Sequence, residues 1–206
     1  MEKFIDLTHE IDNHMPSFID DVTTELKLTK TYQNDGYNYS VLHIGLHTGT
    51  HIDTPMHMTE KKNVISEYSL DNFVGPGKLI NVIGKKIIDY QEEYEKLITK
   101  GDIVLIHTGH SQKFFTKEYF TEYPKLSQDM IDFFISKKIK MLGLDTPSPD
   151  YYPYESHIKL FRENILIIEN LCNLDKLLDK TFTVIALPIK IKADSAIARV
   201  IAYIKK

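Results

Sequence analysis

The chain has 206 residues with 25 Lys or Arg against 29 Asp or Glu, a formal charge of −4 and a hydrophobic fraction of 42%. This is the composition of an ordinary globular domain, and it excludes the strongly basic surface typical of nucleic-acid binding. One cysteine, Cys172, excludes an internal disulfide, and Lys190 and Arg199 interrupt the apolar segments near the C-terminus, so we expect neither a disulfide framework nor a membrane span.

Segments rich in β-branched residues and bounded by Gly, Asp, Asn or Pro predict eight strands. In chain order they are Lys3–Thr8, Tyr39–Leu46, Lys78–Ile83, Asp102–His107, Lys140–Leu144, Asn164–Glu169, Thr181–Leu187 and Ala196–Ile204. Helical periodicity predicts three helices, over Tyr90–Lys100, Ser127–Lys138 and Leu171–Leu178. No repeat or linker divides the chain, so we expect one α/β domain over residues 1–206, with a mixed, curved β-sheet and flanking helices.

Histidines are concentrated in one short segment. Four of the nine lie between residues 43 and 57, namely His43, His47, His51 and His57. In an extended segment the odd-numbered positions share one face, but full extension would separate His47 and His51 by about 13 Å, too far for one ion. We therefore expect the chain to bend at Gly49, because glycine permits conformations that other residues avoid.

The side chains brought together by such a bend form a metal-binding donor set. The imidazoles of His47 and His51 and the carboxylate of Asp53 are typical of catalytic zinc or manganese sites. A metalloprotease helix is not indicated, because Thr48 stands where that motif requires Glu and Pro55 interrupts the segment. The alternative is a set of polar histidines on a solvated strand edge.

The whole segment also matches a longer pattern. His47-Thr48-Gly49-Thr50-His51-Ile52-Asp53-Thr54-Pro55-Met56-His57 fits His-x-Gly-Thr-His-x-Asp-x-Pro-x-His. With this pattern the chain resembles the bacterial kynurenine formamidase and cyclase family of metal-dependent hydrolases. Further matches extend over essentially the whole chain: Asp35-Gly36-Tyr37-Asn38, Gly143-Leu144-Asp145-Thr146-Pro147-Ser148, His157 with Glu169, Leu187-Pro188 and Ala198-Arg199-Val200. The resemblance implies the swivelling β/β/α fold and a homo-oligomer, dimeric or tetrameric. The single cysteine is consistent with a cytoplasmic location, which we expect.

The resemblance further implies a set of metal ligands: His47, His51, Asp53, His157 and Glu169. The first three would hold one divalent ion, Asp53 would bridge to a second ion held by His157, and Glu169 would contact both. A carboxylate has two oxygens with which to bridge two cations, whereas an imidazole offers one free nitrogen to one ion. The expected ion is Zn²⁺, with Mn²⁺ as the alternative and one or two ions in each subunit.

His57 is implied to be the catalytic proton donor and acceptor. The implied reaction is hydrolysis of a non-peptide C–N amide bond by metal-activated water, with N-formyl-L-kynurenine giving formate and L-kynurenine in tryptophan catabolism. The alternatives are an isatin hydrolase-like or other cyclic or acyclic amide hydrolase, and a metal-binding protein without catalytic activity. The presence of both His57 and Glu169 favours an enzyme, because a non-catalytic metal-binding protein would need only His47, His51 and Asp53.

Phe18 is the candidate substrate-binding residue. Family members carry an aromatic residue and a Pro-Gly-Asp element after the first strand, where this chain has Met15-Pro16-Ser17-Phe18-Ile19-Asp20-Asp21 and no tryptophan anywhere. Phe18 could stack on an aryl ring of the substrate. The alternative is a phenylalanine that packs within its own loop.

A serine hydrolase is the rival mechanism. Gly109-His110-Ser111 begins like a nucleophile elbow, and Ser111, Asp145 and His157 follow in the order of an α/β-hydrolase triad. Lys113 stands where the elbow requires its second glycine, which weakens this hypothesis.

Several other residues have open roles. Cys172 could be a nucleophile or a packed thiol. Asp145 could orient a metal ligand or cap a strand end. His43 could support the metal site or pack beside the sheet, and His107 and His110 could line the cleft.

Overall fold

The computed structural model describes residues 3–18 and 21–205. Its strands are β1 (Phe4–Asp6), β2 (Glu25–Lys30), β3 (Tyr39–His43), β4 (His51–Asp53), β5 (Val74–Asn81), β6 (Ile87–Ile88), β7 (Ile103–His107), β8 (Lys125–Leu126), β9 (Met141–Leu144), β10 (Leu166–Glu169), β11 (Phe182–Pro188) and β12 (Ser195–Ile204). Its α-helices are α1 (Tyr32–Asp35), α2 (Tyr94–Leu97), α3 (Glu118–Thr121), α4 (Gln128–Lys137) and α5 (Glu155–Arg162). Short 3₁₀ helices lie at Pro55–His57, Ile65–Glu67, Leu70–Phe73, His110–Lys113 and Leu174–Leu177.

Eight of the strands form one mixed sheet in the order β1-β12-β11-β5-β7-β9-β10-β4. Strands β5, β7, β9 and β10 are parallel, and the remaining pairs are antiparallel. Strand β12 also pairs with β4 through Ser195–Ile197, so the sheet closes on itself. The expected mixed, curved sheet with flanking helices is therefore confirmed, and its curvature is complete.

The central strands are buried on both faces. In β7, Ile103 and Leu105 contribute to the core enclosed by the sheet, whereas Val104 and Ile106 pack outward beneath α4 and α5. This arrangement explains why β7 is continuously apolar and does not alternate with polar residues. The enclosed core is tight at Gly143, where a Cβ atom would lie 2.5 Å from a methyl carbon of Leu105.

The sequence predicts one helix to be longer than it is and places the start of another too early. The segment predicted as a helix over Tyr90–Lys100 forms a single turn, α2, because the Asp102 carboxylate accepts a hydrogen bond from the Thr99 amide and Gly101 has a positive φ. The helix predicted over Leu171–Leu178 is a 3₁₀ helix that begins at Leu174. The residues before Leu174, which were predicted to be helical, extend the sheet instead, since the Leu171 amide donates to the carbonyl of Leu144.

Among the elements with no counterpart in the sequence predictions are β2, α1 and α5. Strand β2 pairs with β3 in a separate hairpin, and α1 forms its tip. The hairpin exposes apolar side chains, including Leu28, Tyr39 and Val41. Helix α5 buries Leu160 and Phe161 against α4 and the sheet, and it carries His157. The longest helix, α4, has ten residues, and no helix in residues 3–18 and 21–205 has the length and apolar character needed to cross a bilayer.

Candidate metal centre

Strand β4 lies at the centre of the candidate site. It is hydrogen-bonded between β10 and β12, and its register places His51 opposite Glu169 and Asp53 opposite Ser195. The expected bend occurs at Gly49, whose φ is +67°. It returns the chain so that His47 Nδ1 lies 2.9 Å from Asp53 Oδ1.

Asp53 is shared by two groups of potential ligands. Its Oδ1 lies 3.4 Å from His51 Nε2, which in turn lies 3.4 Å from Glu169 Oε2. His51, Asp53 and Glu169 form one set of ligand atoms within 4.8 Å of one another, and His47, Asp53 and His57 form another. A carboxylate common to both sets is the arrangement that two neighbouring cations require.

The buried atoms at the centre of the site fit a cation. The Nδ1–H of His51 donates to the Gly49 carbonyl at 2.8 Å, so the lone pair of a neutral His51 ring is on Nε2. This Nε2 and Asp53 Oδ1 are both buried and have no hydrogen-bond partner among the described residues. Two acceptors that face each other at 3.4 Å need a positive charge between them.

The charges at the site also shift the pKa values of His51 and Asp53. Burial lowers the pKa of His51, but Asp53 and Glu169 outweigh it and raise the pKa well above its ordinary value. Burial raises the pKa of Asp53, yet the neighbouring imidazoles of His51 and His47 outweigh it and hold the pKa well below the ordinary value. The negative charge that favours a proton on His51 would also favour a cation, and a cation bound here would compete with that proton.

His157 joins the site from α5. Its Nε2 lies 3.1 Å from Glu169 Oε1, and its Nδ1 lies 2.7 Å from Asp150 Oδ1. Burial lowers the pKa of His157, but Asp150 and Glu169 outweigh it and raise the pKa to about 9. All five predicted ligand residues are therefore brought together. Asp150, which is not one of the five, holds the ring of His157 in place.

His57 and Phe18 lie on the open side of the site. His57 ends the 3₁₀ helix Pro55–His57, and burial, opposed by Asp53, lowers its pKa below the ordinary value. Both residues line a cavity of about 350 Å³ that also contains His47, Asp53, His157 and Glu169. Phe18 also packs edge-on against Phe120, with the two ring centres 5.0 Å apart. The same side chain therefore lines the cavity and packs against a neighbouring aromatic residue. Two larger cavities, of about 640 and 730 Å³, contain none of the predicted site residues.

Sequence reasoning missed three polar residues around the site. Asp150 and Asp194 contact imidazoles, and Asn170 holds the bend, since its Nδ2 donates to the Gly49 carbonyl and its Oδ1 accepts from the Tyr119 hydroxyl, both at 2.8 Å. Asp194 Oδ2 lies 3.0 Å from His47 Nε2 and 3.1 Å from His57 Nδ1. Only the position of Asn170 directly after Glu169 gave a local signal; the two aspartates belong to no pattern in the sequence.

The rival serine triad is not assembled. The carboxylate of Asp145 accepts hydrogen bonds from the backbone amides of Thr108 and Gly109, so Asp145 caps a strand end. Both ring nitrogens of His157 are occupied by Asp150 and Glu169.

The other candidates also lie outside the site. Burial raises the pKa of the Cys172 thiol to about 11, which disfavours a thiolate nucleophile. His43 is exposed on the β2–β3 hairpin. His110 donates from Nε2 to the Tyr119 carbonyl and His107 contacts Asp145, so neither lines the cleft around Asp53.

Comparison with known proteins identifies the family of the chain. A sequence model of the family described as "Putative cyclase" matches residues 5–151. The kynurenine formamidase of Bacillus mycoides (strain KBAB4) is 29% identical over 192 residues, which cover 91% of this chain and 90% of that protein. A solved structure of a potential metal-dependent hydrolase with cyclase activity is 27% identical with a TM-score of 0.81, covering 99% and 98% of the two chains. An isatin hydrolase bound to the product analogue thioisatinate has a TM-score of 0.89 at 21% identity, covering 99% of this chain and 93% of its own, and so shares the fold.

Proposed function

The chain belongs to the cyclase family, and on that premise we propose that it is a metal-dependent hydrolase cleaving a non-peptide C–N amide bond in a small molecule. The observation that carries the proposal is the shared Asp53, which connects two groups of ligand atoms and leaves buried acceptors facing each other. The curated relatives named kynurenine formamidase support an amide as the substrate.

We assign the ligands residue by residue. His47, His51 and Asp53 would hold one divalent cation, Asp53 and His157 would hold a second, and Glu169 would contact both. The two oxygens of Glu169 support this assignment, since Oε2 lies near His51 and Oε1 near His157. Zn²⁺ is the expected ion and Mn²⁺ the alternative, because nitrogen and oxygen donors of this kind accept either.

A divalent cation bound here would polarise the amide carbonyl and lower the pKa of water toward neutrality. A side chain of the protein would transfer the protons. When the water oxygen bonds to the carbonyl carbon, His57 takes a proton from that water, and when the C–N bond breaks, His57 returns it to the leaving nitrogen. Its place on the open side of the cavity supports this role. Phe18 would contact an aryl ring of the substrate.

The specific substrate that we propose is N-formyl-L-kynurenine, which would yield formate and L-kynurenine. The name of the curated relatives supports this assignment. A cyclic amide such as isatin is the second candidate, since an isatin hydrolase has the same fold. Hydrolysis of either would proceed by the same proton transfers.

The test is a paired assay on one preparation. The protein is stripped with a chelator, reconstituted with Zn²⁺ or Mn²⁺, and given N-formyl-L-kynurenine or isatin. We expect metal-dependent formation of kynurenine and formate, and Asp53→Ala should bind less metal. Turnover of isatin alone would transfer the assignment to the second candidate, and no turnover of either with any metal would contradict both.

Assembly and location belong to the same proposal. We propose a homo-oligomer, dimeric or tetrameric, because a two-stranded hairpin that exposes Leu28, Tyr39 and Val41 needs a partner surface to be stable. Light scattering on the purified protein would measure the mass. A cytoplasmic location and a role in tryptophan catabolism also stay predictions, the first supported by a single, unpaired cysteine.

A further inference from the structure

Asp194 occupies a central place that no motif assigns to it. A single oxygen, Oδ2, lies between two imidazoles, 3.0 Å from His47 Nε2 and 3.1 Å from His57 Nδ1, and the two ring centres are 4.1 Å apart. The backbone of Asp194 is fixed as well. Its carbonyl accepts the amide of Thr54 at 3.0 Å and the hydroxyl of Thr54 at 2.7 Å. These two bonds tie the backbone of Asp194 to Thr54, the residue that follows Asp53.

The hydrogen-bond chemistry of a carboxylate determines what both rings must do. An ionised carboxylate only accepts, so His47 must donate from Nε2 and His57 from Nδ1. A neutral imidazole carries one N–H, and the other nitrogen keeps the lone pair. For His47 this leaves Nδ1, the atom 2.9 Å from Asp53 Oδ1. For His57 it leaves Nε2.

Ser195 is consistent with this assignment. Its Oγ also lies 3.1 Å from His47 Nε2 and can share the same proton as a second acceptor. Ser195 begins β12 and pairs with Asp53 in the register of the sheet. The residues that contact His47 from this side are therefore positioned by the closure of the sheet.

We propose that Asp194 is the positioning residue that sets the tautomers of His47 and His57. It directs the lone pair of His47 toward Asp53 and leaves the lone pair of His57 on Nε2, the atom that would take up and return the proton. The second part rests on the proposed hydrolase function, because it concerns the proton transfers assigned to His57. The first part concerns metal binding alone.

Two variants and one control test the proposal. Asp194→Ala removes the acceptor, and Asp194→Asn keeps the shape and one acceptor oxygen without the charge. Asp89→Asn, an exposed carboxylate outside the site, is the control. At saturating metal, we expect Asp194→Ala to lower kcat about 100-fold with little change in KM, and Asp194→Asn to recover part of that loss. Metal affinity of Asp194→Ala should fall roughly 10–100-fold in a chelator competition.

The tautomers can be observed without catalysis. In metal-free protein labelled with ¹⁵N-histidine at pH 8, long-range ¹H–¹⁵N spectra should show His57 protonated at Nδ1. A His57→Gln spectrum assigns the signal. In Asp194→Ala the ring should shift toward the Nε2–H form that free histidine prefers.

The outcomes separate the two proposals. A wild-type His57 protonated at Nε2, or an Asp194→Ala variant with wild-type metal affinity and tautomers, overturns the role of Asp194 whether or not the protein hydrolyses amides. Absence of amide hydrolysis in the wild type overturns the proposed function and leaves the spectra and the metal affinity to decide about Asp194. If Asp194→Ala does not fold, the same measurements on Asp194→Asn and on the wild type decide.

Discussion

Removing the metal should lower the thermal stability of the protein by a predictable amount. His51 Nε2 and Asp53 Oδ1 are buried without a hydrogen-bond partner among the described residues, and such atoms cost about 1–3 kcal/mol each. A cation that satisfies both should therefore stabilise the fold by roughly 2–6 kcal/mol. Mass action gives a value inside this range, since a ligand at 100 times its Kd contributes about 2.7 kcal/mol.

The shift in Tm follows from the size of the chain. For a domain of this length, 1 kcal/mol corresponds to about 2–4 °C, so 2.7 kcal/mol predicts a difference of about 5–11 °C between the chelator-treated and metal-saturated protein. Differential scanning calorimetry of the two forms measures it. Asp53→Ala should lose the shift, whereas Asp89→Ala, which changes an exposed carboxylate, should keep it. A wild-type difference below 1 °C with Zn²⁺ and with Mn²⁺ would refute the reasoning.

Three further predictions concern single residues. His57→Gln should lower kcat by about 10²–10⁴-fold with metal content unchanged, as measured by kinetics and metal analysis; wild-type turnover would contradict its role. Asn170→Ala should weaken metal binding roughly 10–100-fold in chelator competition, because it frees the Gly49 carbonyl that orients His51, and unchanged affinity would refute the link. Burial, opposed by Asp145, lowers the pKa of His9 to about 4, so stability is full above about pH 6.5 and falls as the pH drops toward 4, by at most about 3 kcal/mol. His9→Phe should flatten that slope in urea unfolding, since it can keep the stacking on the neighbouring aromatic ring, and an unchanged slope would show that another group is responsible.

The site was predictable where its chemistry is local in sequence. The motif from His47 to His57 contains three ligand candidates and the proton carrier, and the distance argument correctly required a bend at Gly49. The pairing of His157 with Glu169 was accessible only through a resemblance to other proteins. Their contact depends on α5, whose short amphipathic pattern was not recognised as a helix.

Two of the missed residues, Asp194 and Asn170, make their contacts across long separations in the chain. Asp194 lies 147 residues from His47 and 137 from His57 and contacts them because β12 returns beside β4. Strand β2, the partner of the predicted strand at β3, was missed for a different reason. It is largely exposed and contains only two apolar residues, Leu26 and Leu28, so it lacks the run of apolar and β-branched residues from which the other strands were predicted.

The closure of the sheet by β12 also governs when the site can exist during biosynthesis. The ribosome releases the segment from His47 to His57 well over a hundred residues before it releases Asp194, as the 137- and 147-residue separations require. Until β12 emerges, β4 lacks one of its two neighbouring strands, and neither His47 nor His57 can contact the carboxylate of Asp194. The complete set of contacts around β4, His47 and His57 can therefore form only after the last strand has been translated.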